Sequence, residues 1–78
     1  MTLAVPDCGV VGMQLRLSLW LVASGATVAA GDRVVELVVG GVTIDLEAPL
    51  TGRLSRQFVD EDEVVAAGTV IAEFEAVA

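Results

Sequence analysis

The sequence predicts an all-β fold, a sandwich or barrel made of two similar halves. Three observations carry this. First, Leu21–Gly31 and Phe58–Gly68 are near copies: both close on Val-Ala-Ala-Gly, Gly31 and Gly68 stand 37 positions apart, and the register continues to Val35-Glu36-Leu37 against Ala72-Glu73-Phe74. A short unit repeated in this way cannot bury its apolar face alone and packs on its twin. Second, apolar and polar residues alternate with a period of two. Third, turn signals recur at short spacing, and no stretch has helical periodicity.

Taken in order, Met13–Val22 reads Met-Gln-Leu-Arg-Leu-Ser-Leu-Trp-Leu-Val. The period sets Leu15, Leu17, Leu19 and Leu21 inward and Gln14, Arg16, Ser18 and Trp20 outward. Val34–Val39 is short and β-branched, which suits a strand buried on both faces. Val42, Ile44 and Leu46 are expected inward, with Thr43, Asp45 and Glu47 outward. Gly52–Val59 and Val70–Glu75 complete the set, the latter with Val70, Ala72 and Phe74 on one face and Glu73 and Glu75 on the other. Pro6-Asp7, Ser24-Gly25, Gly31-Asp32, Gly40-Gly41, Pro49 with Thr51-Gly52, and Gly68-Thr69 separate them. Midway between the copies lies the hairpin Val39-Gly40-Gly41-Val42, which has no reactive group. Gly40-Gly41 suits a two-residue type I′ turn, where both central residues need φ > 0.

The chain of 78 residues is read as one domain, 1–78. Its core is Val, Leu, Ile and Ala, since 55% of residues are hydrophobic and few are aromatic. The net charge is −7, eleven acidic residues against four arginines (Arg16, Arg33, Arg53 and Arg56). An acidic surface repels phosphate backbones, so no nucleic-acid partner is expected. There is no histidine and no lysine. That removes imidazole bases and metal ligands, Schiff-base chemistry, and any amine to amidate. The single cysteine, Cys8, forms no internal disulfide. Arg16 and the apolar run after it superficially resemble a signal peptide, but the run is too short to span a bilayer and alternates as a strand. The expected location is cytoplasmic, without a membrane partner.

The phrases of this chain, in order, resemble those of the lipoyl/biotinyl carrier domains. Val5-Pro6-Asp7-Cys8-Gly9 is similar to the family's opening Val-Pro-Asp-Ile-Gly. Trp20-Leu21-Val22, Ser24–Val28 and Ala30-Gly31-Asp32 are similar to its central phrase, Glu47–Gly52 to its E-x-P-x-x-G bend, and Val64–Ile71 to its closing phrase. The resemblance covers nearly the whole chain. It implies a barrel-sandwich hybrid, a flattened β-barrel of two similar four-stranded antiparallel sheets with pseudo-twofold symmetry. Both termini would lie at one end and the hairpin at the other.

Members of the family amidate the lysine of an Asp-Lys-Ala tip with lipoate or biotin. Counting back from Glu47-Ala48-Pro49, those positions fall on Gly40, Gly41 and Val42, so Gly41 stands where the lysine would. The resemblance therefore implies a lipoyl-like domain that bears no lipoate or biotin cofactor and has no catalytic residue. It is related to the acyltransferase component of 2-oxo acid dehydrogenase complexes and acts as a protein-interaction or scaffold module, with components of such a complex as partners. Two alternatives stay open. One is a structural segment of a larger assembly such as an efflux-pump adaptor, although those usually insert a long helical hairpin near the tip. The other is a piece derived from a lipoylated parent.

Other residues carry paired readings. Asp60-Glu61-Asp62-Glu63 is a docking patch for a basic partner or a solvated turn, since it aligns with the loop Ala23–Ala26. Trp20 is a partner contact or a cover for the barrel's outer face. Glu36, Asp45 and Glu47 form a solvated face rather than a metal site. Cys8, in an aliphatic position, is a small hydrophobe rather than a reactive thiol.

Overall fold

The computed structural model describes residues 1–9 and 12–77. Among these residues the chain forms eight strands and no helix: β1 (Thr2–Ala4), β2 (Leu15–Trp20), β3 (Thr27–Val28), β4 (Arg33–Val39), β5 (Val42–Glu47), β6 (Gly52–Gln57), β7 (Val64–Val65) and β8 (Val70–Ala76). They build two antiparallel four-stranded sheets, ordered β1-β8-β6-β3 and β5-β4-β2-β7. The body is 42 Å long and less than half as wide, at 19 by 17 Å.

The repeat governs this arrangement down to single hydrogen bonds. The Leu17 N–H donates to Glu63 O at 3.0 Å, and 37 residues on, the Leu54 N–H donates to Ala26 O at 2.9 Å. Asp62 N to Leu17 O is matched by Gly25 N to Leu54 O, each 2.7 Å. Each half therefore lends its short strand to the other sheet: β3, from the first copy, pairs with β6, and β7, from the second, pairs with β2. Val5 and Ala48, each followed by a proline, are also equivalent. Their N–H groups bond Thr69 O at 2.9 Å and Asp32 O at 2.8 Å. Ala48 connects to β6 through the three residues Pro49–Thr51, whereas Val5 connects to β2 through the longer stretch 6–14.

Phe74, Leu17, Leu37, Leu54, Ile71, Val34 and Val35 are fully buried between the sheets. Strand parity departs from simple alternation at four bulges, which are themselves repeated. The β2–β4 register slips between Leu17 and Leu19, and the β6–β8 register slips between Leu54 and Arg56, so Ser18 and Ser55 are the extra residues. A bulge adds one unpaired residue and turns the side chains beyond it to the other face. Leu19 and Leu21, expected inward, are therefore exposed, at 45% and 42%, while Leu15 and Leu17 are buried as expected. The other pair of slips skips Val34 on β4 and Ile71 on β8. It makes the neighbours Val34-Val35 and Ile71-Ala72 all buried and leaves Val70 outside. Val42, also expected inward, is exposed because it stands at the open end of the edge strand β5. The strand expected over Gly52–Val59 ends at Gln57, and Phe58 is exposed.

Candidate functional site

Val39 pairs with Val42, so the two residues Gly40 and Gly41 alone turn the chain from β4 to β5. Their φ angles are +55° and +81°. Both central residues are thus left-handed, as the type I′ turn requires and as the Gly-Gly pair anticipates. Leu15, the first residue of β2, pairs with Val39 on one side and Val65 on the other, which puts this hairpin at one end of the body. Ala76 pairs with Gly52, which pairs with Val28, and Met1 exchanges hydrogen bonds with Phe74. Both described chain ends thus lie at the opposite end.

The two glycines differ in their surroundings. A Cβ on Gly40 would come within 2.9 Å of the Met13 Cε, so Met13, from the longer stretch 6–14, rests on that side of the tip. A Cβ on Gly41 would meet nothing within 4 Å. Any side chain at Gly41 would project into open solvent from the extremity of the molecule, the placement a swinging arm needs. Val42 beside it is exposed. Below the tip, Pro6, Cys8, Met13, Leu15 and Val65 line a half-open recess of about 270 Å³. Cys8 is half-buried against the core, with its Sγ 3.5 Å from the Pro6 carbonyl oxygen.

Trp20 and the acidic turn lie elsewhere. Trp20 is half-buried, its Nε1–H donates to Val59 O at 3.0 Å, and its backbone N–H donates to the Glu61 Oε2 at 3.0 Å. Its equivalent in the second half is Gln57, whose Nε2 donates to Val22 O at 3.1 Å. Trp20 and Gln57 thus each reach across the pseudo-twofold to the other copy and clasp the halves together. The Trp20 side chain covers a seam between repeats.

Asp60–Glu63 form the turn before β7 and are exposed. The Glu63 side chain accepts the Asp60 N–H at 3.1 Å, and the Asp62 carbonyl oxygen accepts from Arg16 Nη1 at 3.0 Å. Asp62 holds φ +72°, the left-handed conformation that its equivalent, Gly25, adopts at +91°. Trp20, Asp60 and Glu61 border one open cleft together with Gln57 and Val22. The tip is not part of it: from Leu15, beside Val39, to Trp20 is roughly 15 Å of strand. Asp45 is paired with Arg33 at 3.7 Å on the outer face. The signal that links Trp20 to Gln57 and Ser18 to Ser55 is the 37-residue offset itself, applied residue by residue rather than to the glycine phrases alone.

Comparison with known proteins bears on the chain as a whole. The family model described as "Biotin-requiring enzyme", the biotin/lipoyl model, matches residues 1–74. The dihydrolipoyllysine-residue acetyltransferase component of the acetoin cleaving system of Pseudomonas putida is 31% identical over 71 residues, 91% of this chain and 19% of that protein. The chain therefore spans about a fifth of the relative it matches.

Proposed function

The chain belongs to the biotin/lipoyl family of the biotin-requiring enzymes, and we propose that it works there by protein contact, with no amidated arm on its hairpin. One observation carries the reading. The hairpin end that would hold the arm carries Gly40-Gly41-Val42, and none of the 78 residues is a lysine. Amidation by lipoate or biotin needs a nucleophilic ε-amine, and neither a glycine nor an arginine guanidinium supplies one. The relative in Pseudomonas putida is by name an acetyltransferase component. In our reading this domain serves a comparable acyltransferase component of a 2-oxo acid dehydrogenase-type complex. It is a scaffold or docking piece with no catalytic group of its own, and the exposed acidic turn Asp60–Glu63 faces a basic partner surface.

The test is the intact mass of the chain after co-expression with lipoate and biotin ligases. The unmodified mass is expected, and a gain of one lipoyl or biotinyl group would sink the reading. Gly41→Lys is the complement. Open space around the Gly41 Cβ leaves room for the side chain, while the positive φ costs about 1–2 kcal/mol. The variant should fold, melt slightly earlier and gain a lipoyl or biotinyl mass. A folded variant that no ligase modifies would show that Gly41 does not occupy the attachment position.

A further inference from the structure

The repeat gives each surface position an internal reference, and by that reference the two outer faces differ. Residues directly opposite on neighbouring strands share a face. On the β1-β8-β6-β3 sheet, Thr27, Arg53 and Glu75 stand in one outer row, and Arg56, Glu73 and Thr2 stand in the next. All are polar. The corresponding rows of the β5-β4-β2-β7 sheet are Val64, Arg16 and Val38, then Leu19, Glu36 and Asp45. Here Val64 replaces Thr27, Val38 replaces Glu75 and Leu19 replaces Arg56. Val64 and Leu19 are 53% and 45% exposed. The replacement also separates an ion pair. Arg53 meets Glu75 at 2.8 Å, whereas Arg16, facing Val38, bonds the Asp62 carbonyl oxygen and the Gln14 Oε1. Among the described residues Arg16 forms no salt bridge.

The four central residues form a rectangle. Arg16 pairs with Val38 and Leu19 with Glu36, so the charges sit at opposite corners and the apolar residues at the other two. We propose that this face is a homodimer interface, on which a second copy of the chain packs about a twofold axis along the Val38–Leu19 diagonal. That axis sets Arg16 against Glu36 of the second copy, and Glu36 against its Arg16. Val38 and Leu19 each stack on their own counterparts, an isologous contact. From strand and residue spacings, the strands of the two copies cross at roughly 70°, toward the orthogonal class of sheet packing. No other assignment of an in-plane axis over this rectangle pairs unlike charges and apolar groups at once. The contact is built on four residues of each copy, which places the dimer at the weak end of specific association.

Sedimentation equilibrium of the chain from about 10 μM to 1 mM, at about 0.15 M salt so that the net charge of each copy is screened, tests this. A monomer–dimer equilibrium with a Kd on the order of 100 μM is expected. The pair Leu19→Arg and Val38→Glu copies residues the twin sheet already wears, so the fold is kept and dimerisation weakens at least about tenfold. Arg16→Glu and Glu36→Arg should each weaken it about tenfold, and together restore it to within about threefold of the parent. A chain monomeric at about 1 mM overturns the proposal, including the case where this face serves a different protein. A dimer indifferent to the Leu19/Val38 pair, or a double charge swap that restores nothing, overturns it as well.

Discussion

Leu17 and Leu19 are two residues apart on one strand, look alike in the sequence, and should respond very differently to truncation. Leu17 is 0% exposed and Leu19 is 45% exposed. Leucine to alanine removes three carbons, worth about 2.4 kcal/mol of transfer free energy when fully buried. At Leu17 a cavity term adds to this, giving about 2.7–5 kcal/mol. At Leu19 about half of the transfer value applies and water fills the vacated space, so the loss is about 1 kcal/mol. For a domain of this size each kcal/mol moves Tm by about 4–8 °C. Leu17→Ala should therefore melt at least about 10 °C below the parent and Leu19→Ala about 4–8 °C below it. The assay is thermal and urea unfolding by circular dichroism at about 10 μM chain, where the chain is mostly monomeric. A Leu17→Ala chain already unfolded at room temperature agrees with the reasoning. Equal losses, or a larger loss at Leu19, would refute the bulge at Ser18 and the parity built on it.

Two further substitutions probe the seam between repeats. Asp62 sits at φ +72° where its equivalent is Gly25, so Asp62→Ala should lower stability by about 1 kcal/mol while Asp62→Gly leaves it unchanged or raises it; an alanine variant as stable as the glycine one contradicts this. Trp20→Phe keeps a ring but removes the donor to Val59 O. It should cost about 1–2 kcal/mol in urea titrations followed by circular dichroism, and no loss would mean that the bond contributes nothing to stability.

Much of the fold was legible because the repeat and the turns are written in residue types. The Val-Ala-Ala-Gly phrases set the register of both halves, and Gly40-Gly41 between two β-branched runs specifies its turn. The bulges were not legible. Ser18 and Ser55 fit a polar slot of ordinary alternation, and nothing in a serine announces that the ladder will skip it. The consequence is a parity that holds through Leu17 and fails at Leu19. Asp62 was hidden for a different reason: within a run of four carboxylates its charge masks its conformational role, which only alignment with Gly25 brings out. At the tip, the two-residue turn could be read from Gly40-Gly41 between Val39 and Val42. The contact of Met13 with Gly40 could not, because it depends on where Met13, outside any strand, lies in space.

The exchange of β3 and β7 between halves bears on how the chain reaches its structure. Neither half can complete a sheet until the other is present, since Leu17 needs Glu63 and Ala26 needs Leu54. The native pairings other than the β4–β5 hairpin join residues far apart in the chain, so large loops must close before packing rewards them. Such a chain has no folded half to pause at. It should acquire its structure slowly for its length and in a single step, and the clasp of Trp20 and Gln57 would form only when both halves are already in place.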